Sequence, residues 1–356
     1  MSDRMLVATR KGLISFARKN GGWSLARTDF AGVPVTAALH DRRDGALYAV
    51  LKHGHFGSKL HRSDDGGRTW TELPAPAFAA DAAGAPALFQ VWTLETGGVD
   101  EKGTLWAGAL PAGLFRSDDR GESRHQVSAL WNVPEREKWF GGGYDDAGIH
   151  SISPDPRDPK RVVVAISCGG VWDTRDAGAS WSLQGEGLVA AYMPPELAGQ
   201  KETQDPHRVV RCVEAPDVMW MQHHCGIFRS TDAGVTWTQL KPPGDDFGFA
   251  VAAHPRAAGT AWFVPAVKDE MRLPRDGALA VTRTQDGGKT WQTFRQGLPQ
   301  QDAYDLIYRH ALDVDETGVR LAMGSTTGGL WASDDAGESW RLINAHLPPI
   351  YAVRLY

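Results

Sequence analysis

At 356 residues the chain is long enough for two or three ordinary domains, or for one repeat fold that uses all of it. With 42% hydrophobic and 23% charged residues it has the make-up of a soluble globular protein, and a formal net charge of -5 excludes nucleic acid and anionic membrane as main partners, since both demand a basic face. No apolar run approaches the roughly 20 residues that span a bilayer. The N-terminus, "MSDRMLVATRKGL", has no apolar core followed by a small-residue cleavage site. Together with three unevenly spaced cysteines (Cys168, Cys212, Cys225), this points to a reduced, cytoplasmic location.

In chain order the elements repeat. "MLVATRKGLISFARKNGGWSL" reads as three strands, the last two joined by the hairpin "RKNGGW". "VTAALHDRRDGALYAVL" then gives two strands, followed by a short third strand, the segment "SDDGGRTW" (Ser63–Trp70) and a last strand, "WTEL". The eight-letter segment returns as "SDDRGESR" from Ser117, "TRDAGASW" from Thr174, "STDAGVTW" from Ser230, "TQDGGKTW" from Thr284 and "SDDAGESW" from Ser333. Its aspartates, Asp65, Asp119, Asp176, Asp232, Asp286 and Asp335, recur about every fifty residues, a period that signals a solenoid or propeller. Each unit supplies four antiparallel strands, one propeller blade.

First strands of blades are expected near Val35, Gln90, Ile149, Val209, Phe249, Tyr308 and Tyr351. The last, "YAVRLY", has no strands after it, and the N-terminal three strands lack a first. Joined in one blade, the two ends complete each other and remove two sheet edges. The expectation is therefore an all-β, seven-bladed β-propeller of four-stranded antiparallel blades, a single domain over residues 1–356, closed by its N- and C-terminal strands.

The motif has a mechanical meaning. Its Asp accepts turn N–H groups, its Gly permits a positive φ, and its Trp offers apolar area to bury. The pattern S-x-D-x-G-x-T-W resembles the Asp-box of the bacterial-neuraminidase-repeat propellers, and the resemblance covers nearly the whole chain. It implies that the boxes lie on the hairpin between strands three and four, away from the functional face. It also implies a sialidase-like or other glycoside-hydrolase ancestry. The F/Y-R-I-P string of sialidases is missing here, which speaks against a true sialidase.

Function is then expected on the opposite side, where the turns from strand two to three meet the long linkers between blades. Those linkers are "PAPAFAADAAGAPALFQ", "LWNVPEREKWFGGGYDDAG" and "VAAYMPPELAGQKETQDPH". Aligned on the Gly that opens strand three, the turns differ in every blade. They carry Arg10 and Lys11, Lys52 with His53 and His55, Cys168, His223 with His224 and Cys225, Thr326 with Thr327, and Lys268 with Asp269 and Glu270. Linker ends add Gln90, Trp92, Tyr144, Asp145, Asp146, His150, Arg208, Asp246, Asp305 and Arg309. Gathered around one axis, these side chains would line a polar cup for a small molecule.

His53, His55, His223 and His224 are the candidate ligands for a divalent transition metal of the zinc type, and otherwise the candidate acid/base groups, with Glu270 or Asp146 as the supporting carboxylate. Arg10, Lys11, Lys268 and Arg309, with Tyr144, Asp145 and His150, would bind a small polar or anionic molecule. Paired carboxylates for glycoside cleavage are available among Asp145, Asp146, Glu270 and Asp305. Three readings stay open: a hydrolase or lyase-like enzyme, a scaffold that grips another protein through its loop face, and a carbohydrate or small-molecule binding module.

Overall fold

A computed structural model describes residues 1–78 and 86–356; part of the first long linker, 79–85, lies outside the described residues. Among the described residues 28 strands form seven four-stranded antiparallel sheets, and the fold is a seven-bladed β-propeller. Among the described residues the only α-helix is the four-residue turn Ser128–Trp131. Six sheets use consecutive strands. The seventh is closed by the chain ends: Ile350–Leu355 lies beside Arg4–Thr9, followed by Gly12–Lys19 and Gly22–Asp29. Its register runs from Met5 opposite Leu355 to Thr9 opposite Ile350, with an irregularity at Ala8 and Thr9.

Two compact units divide the chain: residues 1–32 with 207–356, and residues 33–206. The first contains the terminal blade and the blades whose first strands are Pro206–Arg211, Phe247–Ala253 and Leu312–Val314. Its largest core cluster includes Met5, Val7, Trp262, Met323, Trp331, Ile350 and Val353. The second contains the blades beginning at Val35–His40, Gln90–Thr96 and Gly148–Asp155. Tyr48, Val50, Leu94 and Phe115 anchor one of its clusters, and Trp106, Ile149, Val164 and Trp172 another.

Inside each unit the second strands are nearly all buried, as in Leu105–Leu110, while fourth strands such as Gln292–Phe294 stay largely exposed. A strand covered on both faces reads as a continuous apolar run, which is why the inner strands were easy to place. The sixth blade starts at Leu312 rather than near Tyr308, because Leu306 and Ile307 are buried from an irregular segment that touches the strand Ile350–Leu355 through an isolated bridge of His310 with Ala352 before its own ladder begins. Apolar letters record burial, and burial here begins before the ladder does.

The six repeated segments are one structure built six times. The first-position hydroxyl accepts the N–H of the fifth-position glycine at 2.7–2.9 Å. The same hydroxyl donates to the aspartate at 2.7–3.1 Å. The aspartate in turn accepts the N–H of the seventh residue at 2.8–2.9 Å. Hydrogen bonds led by the Ser180 and Thr290 hydroxyls hold Asp176 and Asp286 down at about 2, and those from Thr69 hold Asp65 below the usual carboxylate range. The fourth and fifth positions are both left-handed, with φ of 58–78° and 85–94°. Glycine fills the fifth throughout, yet Arg120, Ala177, Ala233 and Ala336 occupy the strained fourth.

A second fastener accompanies the box. Arg62, Arg116 and Arg283, each just before a box, donate to the fourth-position carbonyl of the next blade's box: Arg120 O at 3.1 Å, Ala177 O at 3.2 Å and Ala336 O at 2.9 Å. Tryptophans 181, 237, 291 and 340 close the turn by donating Nε1–H to the glycine carbonyl of their own box.

Candidate functional site

Antiparallel order puts the turn between strands two and three at the opposite end of each blade from the box hairpin, and these turns share no common bonding pattern. In the unit of residues 33–206, His53 and His55 lie on an exposed 3₁₀ turn over Gly54–Phe56, with the His53 ring edge-on to Phe56 at 5.6 Å. Lys52 turns away from them, its Nζ 3.1 Å from the centre of the Phe89 ring, and burial pulls its pKa down. Tyr144 meets Phe89 and Trp92 edge to face at 5.6 and 5.4 Å. Trp92 also meets His150, which is fully buried with Nδ1 2.9 Å from Ser151 Oγ. Asp145 and Asp146 are exposed on the loop that leads into that blade. This unit therefore joins Tyr144 and His150 through Trp92, while His53 and His55 sit together on a different turn.

The next turn of the same unit carries Cys168, buried and left-handed at φ 50°. Its N–H and the Ser167 hydroxyl both bond to Asp205 Oδ1, at 3.2 and 3.0 Å. Gly142 passes so close that a Cβ there would stand 3.0 Å from Cys168 Sγ and 3.4 Å from Asp205 Oδ2.

In the unit of residues 1–32 and 207–356, Arg10 and Lys11 are exposed on the turn of the terminal blade. Lys268 and Glu270 pair with each other at 3.5 Å on an exposed turn. The neighbouring histidines part company. His223 ends its strand fully buried, with Nδ1 accepting the Cys225 N–H at 3.0 Å and its ring edge-on to Phe228. His224, half-buried, turns to His207 at 5.4 Å and to Phe247 at 5.7 Å. His207 stacks on Phe249 at 4.3 Å with planes 11° apart. Arg309 and Arg272 lie over the same phenylalanine at 5.1 and 5.3 Å, and Tyr308 meets its edge. Of the sequence candidates, then, His224 and Arg309 share one cluster through His207 and Phe249, whereas Arg10, Lys11, Lys268 and Glu270 stand on other turns.

Asp246 stands beside this cluster, immediately before Phe247. Burial raises its carboxyl pKa. Its carbonyl accepts from the Gln222 amide at 2.8 Å, and its Oδ2 lies 3.0 Å from where a Cβ on Gly226 would be. Glycine at φ 120° opens the third strand there and makes that approach sterically free.

Sequence reasoning did not single out Asp205, which accepts from the Ser167–Cys168 turn, or His207, which stacks on Phe249. Both lie in "QDPH", where the longest linker enters a first strand, and that position was the available signal.

No protein-family model matches the chain. A xyloglucanase of Paenibacillus sp is 24% identical over 259 residues, 60% of this chain and 23% of that protein. The chain spans less than a third of the length of the curated relatives it matches. The crystal structure of the GH74 xyloglucanase from Xanthomonas campestris superposes with a TM-score of 0.67 at 18% identity, covering 97% of this chain and 53% of that one. The structure of YCF48 bound to D1 peptide matches with a TM-score of 0.56 at 14% identity, covering 92% of this chain and 88% of that chain. At these identities the likeness establishes the propeller fold, one shared with glycoside hydrolases.

Proposed function

We propose that this chain is a carbohydrate-active, glycoside-hydrolase-like propeller that binds its substrate at the strand-two-to-three end of its blades. The observation that carries the reading is the agreement of two similarities, in sequence and in fold, on xyloglucanases. The side chains suit a sugar. Exposed Phe89 and Tyr144 offer flat apolar faces for pyranose rings. In the other unit Asp246 has what a proton donor to a glycosidic oxygen needs, a carboxyl kept protonated to higher pH by burial. Asp305, whose Oδ1 accepts from the Ser325 hydroxyl at 2.7 Å, is the proposed second carboxylate. Arg309, together with the exposed Arg10, Lys11 and Lys268, would favour a polar or anionic substituent.

The test is hydrolysis and binding of xyloglucan and its oligosaccharides by the full chain. Asp246→Asn should lower kcat by at least about 100-fold, the scale of a lost general acid, and leave binding intact. A chain that neither binds nor cleaves any glucan would sink the reading.

A second reading has its own support. The structure of YCF48 bound to D1 peptide matches over 92% of this chain, and a propeller of this kind can hold a polypeptide segment. The linker "NVPEREKWFGGGY", with Phe140 and Tyr144 exposed, is then the proposed contact. Peptide binding lost on Phe140→Ala, with no affinity for glucans, would favour this alternative.

A further inference from the structure

We propose that Lys52, Phe89 and Tyr144 form a subsite for an acidic sugar, a hexuronate whose ring stacks on the tyrosine and whose carboxylate is held by the lysine. The inference rests on the carbohydrate reading above and narrows it to a class of sugar residue. All three side chains belong to the unit of residues 33–206 and come from successive blades. Lys52 ends the second strand of one, Phe89 leads into the first strand of the next, and Tyr144 lies on the linker to the third. Lys52 Nζ is 3.1 Å from the centre of the Phe89 ring, and that ring is 5.6 Å from Tyr144. One pyranose with its exocyclic carboxylate can bridge the ammonium and the tyrosine at that separation.

What sets Lys52 apart is a charge without a counter-charge. In the same unit Lys59 pairs with Glu72 and Lys138 with Glu202, each at 2.6 Å. Lys52 is half-buried against an aromatic ring and, among the described residues, meets no carboxylate. The ring's quadrupole returns only part of what an ammonium loses on leaving water, and burial accordingly pulls the Lys52 pKa down. A ligand carboxylate supplies the missing partner in a partly desolvated place, where a charge-assisted hydrogen bond is stronger than at an open surface. The platform beside it is both open and held. Phe89 and Tyr144 are 47% and 42% exposed. Trp92, which Tyr144 meets edge to face at 5.4 Å, is packed so closely that a Cβ on Gly148 would stand 2.6 Å from its ring. A tyrosine seated in this way offers its outer face to the C–H side of a pyranose. Asp145 and Asp146, exposed next to Tyr144, can accept sugar hydroxyls and would repel a densely charged polymer, which favours one carboxylate per ring over clustered sulfates.

The full chain is titrated by calorimetry with trigalacturonate, with the same trisaccharide after reduction of its carboxyl groups, and with a xyloglucan oligosaccharide. We expect the acid to bind at least about 10-fold more tightly than its reduced form, the scale of one charge-assisted hydrogen bond. Lys52→Met should erase that ratio by bringing the acid down to the affinity of the reduced form, and Lys52→Arg, which restores the charge, should keep the preference. Tyr144→Ala should weaken both forms by about 10-fold. Lys160→Met, exposed beside a box, should bind as the parent does, and melting curves verify that each variant is folded. Equal binding of the acid and its reduced form, or a preference that survives Lys52→Met, would overturn the subsite and leave the carbohydrate reading standing. Failure to bind any of the three probes would overturn both.

Discussion

The two kinds of turn in each blade are written in different ways. The box hairpins repeat their letters because six copies must satisfy the same donors and acceptors with the same hydroxyl, carboxylate and glycine. The turns between strands two and three keep only the glycine that opens strand three and vary everything before it. His224 faces an aromatic cluster, Cys168 sits under an aspartate, and Lys268 pairs with its own neighbour. Repetition marks what every blade needs, and variation marks where individual blades are free to differ in chemistry.

The largest effect should come from removing what neither kind of turn can replace. Deleting residues 350–356 strips Arg4–Thr9 of its partner strand and removes Ile350, Ala352, Val353 and Leu355, all buried, from the core. At about 1.5–3 kcal/mol for each large apolar side chain, the loss rivals the whole net stability of a typical domain. We expect a chain that does not fold cooperatively, visible as loss of the thermal transition. An unchanged melting temperature would break the terminal blade as described.

A paired glycine test sharpens the contrast between the turns. At Gly178 in a box, φ is 94° and a Cβ would meet Val127 at 3.3 Å and Trp106 at 3.4 Å; at Gly143, on a linker, it would meet nothing within 4 Å. Gly178→Ala should cost about 1–2 kcal/mol and Gly143→Ala less than about 0.5, measured by urea unfolding. Equal costs would erase the distinction between fastener and free loop.

The smallest effect is a pH dependence. Asp176 and Asp286 sit at about 2 in the folded chain against an ordinary 3.8. A depressed pKa stabilises the fold fully above about pH 4, and the contribution fades as pH falls towards 2. The double variant Asp176→Asn with Asp286→Asn should melt below the parent at pH 7, and the gap should narrow as the pH drops towards 2. A gap that widens in acid would reverse the assignment.

The fold was legible because the box announces itself six times and because the apolar runs of inner strands are continuous. The closure of one blade by the two terminal segments followed from counting which blade lacked which strand. The region around His207 was harder to read, because a site uses each residue once and has no second copy to align. Sequence offers His223 and His224 as equals, but only the backbone decides that one ring turns to Phe228 and the other to His207. Asp205 and His207 were hidden for a different reason: a linker of ordinary polar composition carries them to the end of a strand, and nothing in "QDPH" states what that strand faces.

The sheet shared by residues 4–29 and 350–355 sets an order of events during synthesis. Three of its strands are made before the other six blades, yet the edge of Arg4–Thr9 cannot be covered until Ile350–Leu355 has followed them. Through that interval the nascent protein presents a bare row of backbone donors and acceptors to any passing strand. Completion of this blade is thus a late, long-range step, and the growing polypeptide is most exposed to mispairing before it.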